Sequence, residues 1–239
     1  MNLTRKKLLI IGGAFQHCKL VEAAHEMGVI VYVVDYLPVD EAPAKQIADK
    51  HYEYNITDYD EIVSMCKREG INGVLASHLD ACQIPYQVVC ERLGLPCFGT
   101  KEQFHLLTDK TAFIKTCKEN GVDIIPQYEE QDFDANNNEI EYPLFVKPCD
   151  SRGSRGQSVC TKYEEMKSAI AFAKSESKTQ KVIIEKYMKG KQDFSQSYLF
   201  IDGEAYLVRT GDRFLGAVQD KMDKSCILGI SPSVNTELF

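Results

Sequence analysis

Several signatures that would settle a functional class at once are missing from this sequence. There is no C-x-x-C pair, and the nine cysteines stand at irregular spacing. A chain of 239 residues has no need of a disulfide framework, and no zinc-type spacing is present, so the cysteines point to a reducing cytoplasm. There is no long basic run, and the formal net charge is -7, which argues against a dedicated nucleic-acid binder. No apolar stretch is long enough to span a bilayer. Arg5-Lys6-Lys7 followed by Leu8-Leu9-Ile10-Ile11 imitates a short signal peptide, but the bulky Phe15-Gln16-His17 stands where a small-x-small cleavage site belongs. The G-x-x-x-x-G-K-[ST] pattern is absent, which excludes a Walker-type phosphate loop. The G-x-G-x-x-G spacing is absent too. Gly12-Gly13 runs into Ala14, Phe15, Gln16 and His17, which counts against an NAD(P)-linked Rossmann oxidoreductase.

What is present is a soluble-type composition, 44% hydrophobic, on a chain long enough for two domains or one large one. In the first hundred residues apolar strands alternate with helical periodicity. Strands are expected at 7–12, 29–34, near Tyr52 and at 73–76, and helices at 15–27, 59–68 and 81–93. That alternation implies a parallel, doubly wound sheet with right-handed crossovers. Such sheets bind ligands beyond the carboxyl ends of their strands, where Gly12, Gly13, Asp35, Ser77, His78 and Asp80 fall. His78 and Asp80 read either as a base with its orienting acid or as ordinary polar groups at a strand end.

The alternation stops at Leu95-Pro96. Two short helices follow, at 101–107 and 110–119, the second capped near Thr108-Asp109. Lys110 lies in its first turn, where a cation opposes the helix dipole unless an anion binds there. Residues 131–141 are acidic and Asn-rich and read as a loop. The most informative stretch is 145–157, F-V-K-P-C-D-S-R-G-S-R-G-Q. An apolar strand ends in Lys147, a loop of small and basic residues follows, and a second β-type run begins at Gln157-Ser158. Glycines let backbone N–H groups face an anion, and a strand-end lysine adds a point charge. The plainer alternative is a surface hairpin with a basic turn. A helix at 164–175, a buried strand at 182–185 and a hairpin at 194–210, turning at Asp202-Gly203, complete the pattern.

The ordered set resembles the ATP-grasp superfamily, in its carbamoyl-phosphate synthase large-chain and biotin-carboxylase-like branch. The members of that set are a Rossmann-like domain, a helical segment with Lys110, a strand ending in Lys147, a Gly-rich hairpin, and V-I-I-E-K-Y-M-K-G before a β-hairpin. The resemblance runs from about residue 7 to residue 210. It implies an α/β fold: a Rossmann-like parallel-sheet pre-ATP-grasp domain over 1–98, then an incomplete α+β ATP-grasp domain over 99–239. Within the latter, the Gly-loop lobe spans about 122–188 and a truncated C-terminal lobe about 189–239.

The resemblance also assigns ATP-binding roles. Lys110 and Lys147 match the basic residues on the phosphates. Ser151, Arg152, Gly153, Ser154, Arg155, Gly156, Gln157 and Ser158 match the flexible loop over them. Glu185 matches the acid at the adenine edge, Lys186, Tyr187 and Met188 the hinge, and Asp193 the ribose acid, although 190–193 is one residue longer than the family pattern. Gly12, Gly13, Asp35, His78, Asp80, Arg209 and Arg213 are the possible substrate-binding residues. The implied activity is ATP-dependent joining of a carboxylate to an amine, or to a thiol, through an acyl-phosphate, with ATP and Mg²⁺ as cofactors. The family's Mg²⁺ ligands belong to later strands, so none is expected in this chain, and the chain alone is expected not to turn over ATP. No catalytic residue, nucleic-acid partner or membrane partner is assigned, and a homodimer is allowed. A non-catalytic nucleotide-binding module is the alternative class.

Overall fold

Runs of β-branched and aliphatic residues such as Lys7–Ile11 and Ile30–Asp35 suit strands covered on both faces, because every side chain then meets a packing neighbour. A computed structural model places them so, and it describes residues 2–77, 79–133, 140–150, 155–188, 193–217 and 224–238. The chain divides into two compact units, Met1–Phe113 and Ile114–Phe239.

In the first unit β1 (Lys7–Ile11), β2 (Ile30–Asp35), β3 (Lys50–Glu53) and β4 (Gly73–Ala76) form a parallel sheet in the order β3-β2-β1-β4. The connecting helices are α1 (Cys18–Glu26), α2 (Pro43–Ile47), α3 (Tyr59–Glu69) and α4 (Asp80–Leu93). The two-residue period of the strands divides the core. Leu9, Ile11, Tyr32 and Val34 pack with Ile62, Met65 and Val89 of α3 and α4. Ile10, Val31 and Val33 pack with Val21 and Ala24 of α1 and Ala44 of α2. Gly70 and Gly94 close α3 and α4 in the left-handed conformation that a Cβ disfavours. The Glu69 carboxylate ties this end of the unit together, accepting from Tyr32 Oη at 3.1 Å, Tyr52 Oη at 2.8 Å and Lys50 Nζ at 3.0 Å. Then come α5 (Lys101–Thr108), opened by a Thr100–Gln103 capping box, and α6 (Lys110–Glu119), which spans the boundary between the units.

The second unit holds two antiparallel sheets. In the first, β5 (Gln127–Tyr128), β6 (Leu144–Pro148), β7 (Ser158–Cys160) and β8 (Val182–Lys186) run in the order β5-β8-β6-β7. The helix α7 (Met166–Ser175) covers one face, burying Met166, Ala169 and Ala173 against Leu144, Val146, Cys160 and Ile184. In the second sheet β9 (Asp193–Ile201), β10 (Glu204–Ala217) and β11 (Lys224–Ile230) run in the order β11-β10-β9, with Asp202 and Gly203 at the β9–β10 turn. Among the described residues no helix is long and apolar enough to cross a membrane.

The expected elements are present with small shifts of boundary. Three had no clear sequence signal: the five-residue α2, the two-residue β5, and β11, which pairs with the far half of β10.

Candidate functional site

The geometry around Lys147 follows from strand register. In β6 and β8, Phe145 stands opposite Glu185, and Lys147 opposite Ile183. With α7 on the face of Leu144, Val146 and Ile184, side chains 145, 147, 183 and 185 share the other face. Lys147 and Glu185 are diagonal neighbours there, and the Lys147 ammonium donates to Glu185 Oε1. The Glu185 side chain is only 8% exposed and that of Lys147 20%, so this is an ion pair largely removed from water. The ammonium also lies 5.5 Å from the centroid of the Phe145 ring, whose other neighbour is the Tyr187 ring at 6.1 Å. The sheet therefore holds a cation beside two aromatic rings and a carboxylate, at the strand end that leads into the glycine loop.

The loop's described ends are firmly seated. Pro148 ends β6, and the Cys149 N–H donates to the Lys181 carbonyl at 3.1 Å. The Asp150 carboxylate accepts from the Ser177 hydroxyl at 2.6 Å and from the Lys178 and Thr179 N–H groups at 3.0 and 3.2 Å. These bonds, the Ser177 hydroxyl first, hold the Asp150 carboxyl below its usual range. Gly156 has φ +73°, and a Cβ there would sit 2.7 Å from Pro148 Cγ and 2.8 Å from Glu176 Cβ. Only glycine meets both demands. Ser158 begins β7 opposite Val146, and Arg155 and Gln157 are described as exposed and half-buried. Ser151, Arg152, Gly153 and Ser154 lie outside the described residues.

At the hinge, the Lys186 N–H donates to the Pro126 carbonyl at 2.9 Å and the Tyr187 N–H to the Pro143 carbonyl at 3.0 Å. Lys186 Nζ reaches Glu141 at 2.6 Å, and the Met188 side chain is exposed. Asp193 opens β9 opposite Arg213, and their side chains pair at 3.3 Å. Arg209 lies exposed on β10.

In the first unit Lys110 is the first residue of α6, and Asp109 Oδ1 accepts from the Ala112 N–H at 2.8 Å. The cap carboxylate thus sits at the helix end where a negative charge is favoured. Gly12, with φ +106°, and Gly13 follow β1. A Cβ at Gly12 would meet His17 at 2.5 Å, and one at Gly13 would meet Ala42 at 2.8 Å. Asp35 accepts from the Gly13 N–H at 2.7 Å through one carboxylate oxygen and from the Leu37 N–H at 2.9 Å through the other. Its backbone carbonyl accepts from buried Lys45 at 2.8 Å, and burial lowers the Lys45 pKa. Both Asp35 oxygens therefore tie strand ends together. Asp80 stands exposed in the first turn of α4, a favourable place for an acid, and His78 lies outside the described residues. Neither Lys45, which lies inside the short helix α2 two residues after Pro43, nor Asp150 as an anchor carries a local sequence cue.

Among the described residues no group of three or more His, Cys, Asp or Glu is placed to hold a metal ion. All nine cysteines are free, and burial pushes the Cys66 and Cys90 thiols up to about 12 and that of Cys160 up to about 11, which keeps them unreactive.

Comparison with known proteins gives two family matches: residues 109–208 to "Carbamoyl-phosphate synthase L chain, ATP binding domain" and residues 8–82 to "PylC-like, N-terminal domain". The chain is similar to a formate-dependent phosphoribosylglycinamide formyltransferase of Sulfurisphaera tokodaii, 26% identical over 217 residues, which cover 86% of this chain and 53% of the relative. Among solved structures, a biotin carboxylase–β-γ-ATP complex from Campylobacter jejuni matches with TM-score 0.76 at 19% identity, over 90% of this chain and 52% of that one. The biotin carboxylase domain dimer of the Hydrogenobacter thermophilus 2-oxoglutarate carboxylase, solved with MgADP, ADP and bicarbonate, matches with TM-score 0.75 at 20% identity, over 89% and 51%. The chain thus spans about half the length of the relatives it matches.

Proposed function

We propose, from the two family matches and the half-length similarity to its relatives, that the chain is an ATP-grasp protein and supplies the nucleotide-binding portion of an ATP-dependent ligase. The observation that carries this reading is the Lys147 ammonium, held by Glu185 and Phe145 at the strand end that opens the glycine loop. A triphosphate needs positive charge and N–H donors fixed before it arrives, so that little reorganisation is left to binding. Lys147 gives the charge. The loop that returns through Gly156 is proposed to give the donors. Phe145, Ile183 and Tyr187 offer the apolar surface a purine requires. Lys186 and Tyr187 commit their N–H groups to the sheet, so Met188 is the hinge residue left to meet a ring nitrogen. Glu185 would then serve the exocyclic amine or the ribose side of the ligand, and Asp193 the ribose.

The reaction class is joining of a carboxylate to an amine or thiol. A carboxylate oxygen attacks the γ-phosphorus, the bond to the β–γ bridging oxygen breaks, and ADP leaves. The nucleophile then adds to the acyl carbon, phosphate departs with the bonding pair, and the nucleophile gives up its proton. This chain's residues bind and orient the nucleotide and offset its charge. Mg²⁺ would neutralise phosphate charge in such an enzyme, but the described residues do not form a ligand set for it, and no step here is drawn through it. Gly12, Gly13 and Asp35 shape the strand ends where the acceptor pocket is proposed, and Arg209 and Arg213 are proposed to face an acidic substrate. A cytoplasmic setting and a homodimer complete the proposal.

Thermal shift tests it. ATP at 100 times its dissociation constant should stabilise the protein by about 2.7 kcal/mol, NAD should not, and Lys147→Ala should abolish the ATP response. Equal shifts with NAD, or an ATP response that survives Lys147→Ala, would overturn it.

A further inference from the structure

Resting on the reading of the first unit's strand ends as the acceptor pocket, we propose that Asp35 decides what enters it: an unphosphorylated amine, held as its ammonium, and neither a phosphate ester nor a thiol. A glycine turn after the first strand of a doubly wound sheet is a common seat for phosphate, because its N–H groups can face an anion. Here those donors are already committed. The Gly12 N–H donates to the Val34 carbonyl at 2.8 Å, and the Gly13 N–H to Asp35 Oδ2 at 2.7 Å. The carboxylate lies directly on the turn, since a Cβ at Gly13 would sit 3.3 Å from Asp35 Cγ. The chain thus places its own anion where a phosphate would rest. No lysine or arginine stands in 12–16, 36–42 or 54–58, the segments that leave β1, β2 and β3, to offset a second one.

Asp35 is only 8% exposed, and its carboxylate is met by two backbone N–H groups, those of Gly13 and Leu37. Among the described residues no basic side chain bonds to that carboxylate. The buried Lys45 donates instead to the backbone carbonyls of Asp35 and Leu37. A buried carboxylate served by neutral donors keeps acceptor capacity on both oxygens and lacks a bonded countercharge. Beside it a phosphate is repelled at short range in a poorly hydrated place, and an ammonium is drawn in. A thiol offers only a weak, uncharged donor. The same two turns carry exposed rings: Phe15 follows Gly13 by two residues and is 76% exposed, and Tyr36 follows Asp35 and is 64% exposed. Aromatic faces and a carboxylate together are the surroundings that favour an organic cation.

The experiment follows backbone amides by nuclear magnetic resonance while the wild-type chain is titrated separately with butylammonium, inorganic phosphate and 2-mercaptoethanol at constant ionic strength. Butylammonium should move the Gly13 and Leu37 amides, whose acceptor is the Asp35 carboxylate, and the other two probes should leave them in place. Asp35→Asn, which keeps an oxygen for the Gly13 N–H, should weaken butylammonium about tenfold or more. Phe15→Ala and Tyr36→Ala, at exposed positions, should each weaken it about twofold to fivefold, and they carry the comparison if Asp35→Asn does not fold. Phosphate or 2-mercaptoethanol that moves the same amides in the wild-type chain, or butylammonium binding unchanged in every folded variant, would overturn the role given to Asp35 and leave the acceptor pocket standing. A wild-type chain in which no probe moves residues 12–16 or 35–37 would overturn the pocket and this inference with it, whatever the response to ATP.

Discussion

Removing the Lys147 ammonium while keeping its stem, as in Lys147→Met, strands the Glu185 carboxylate on a sheet face where its side chain is only 8% exposed. Breaking a fully buried ion pair from one side costs about 3–5 kcal/mol, because an uncompensated charge stays out of water. Lys147 keeps 20% of its side chain exposed, so some hydration survives, and about 2–4 kcal/mol is expected for the second unit. Glu185→Gln should cost less, about 1–2 kcal/mol, because the longer lysine can swing its head toward water while its stem stays packed. Removing both charges should restore most of the loss, since an apolar and an amide side chain can share the face without a stranded ion. With about 1 kcal/mol left in the double variant, the coupling energy of the cycle is therefore expected at about 2–5 kcal/mol. Urea titration followed by circular dichroism and tyrosine emission reads it; the chain has 12 tyrosines and no tryptophan. Strictly additive single and double variants, coupled by less than about 0.5 kcal/mol, would refute the pairing.

Gly156→Ala should destabilise the second unit by about 1–3 kcal/mol, from the positive φ and the close approach to Pro148 and Glu176, read by the urea midpoint. Asp35→Ala should cost the first unit about 2–4 kcal/mol, because it deprives the Gly13 and Leu37 N–H groups of a charged acceptor; hydrogen exchange at those two amides should quicken. The Glu69 carboxyl is lowered to about 2, first by the Lys50 ammonium and then by the Tyr52 hydroxyl. A depressed folded-state pKa means the support is present above the ordinary glutamate pKa of 4.5 and is lost as pH falls toward about 2. Glu69→Gln should therefore flatten the acid limb of the stability profile over that window, measured by melting temperature against pH.

Much of the fold was legible because its signals are local. The apolar runs at 8–11 and 30–34 name parallel strands, and Gly70 and Gly94 close helices where the periodicity stops. Asp35 was rightly placed at the end of β2, yet its work as a tie between Gly13 and Leu37 depends on a chain reversal that no spacing reveals. The Lys147–Glu185 pair was equally hidden. Each residue stood out alone, but 38 positions separate them, and only the order β5-β8-β6-β7 makes them diagonal neighbours. A reader expecting β6 and β7 to form an isolated hairpin would put solvent where β8 lies. The strand β11 lacked a cue because its pairing is with the far half of β10, beyond the tight turn that marks β9 and β10.

The nucleotide assignment is most directly tested by photolabelling with 8-azido-ATP and mapping the modified peptide. Label confined to the two adjoining tryptic peptides 182–186 and 187–189, and competed by excess ATP, is the result expected. Label that ATP fails to displace, or that falls instead on the strand ends of the first unit around residues 12–35, would contradict it.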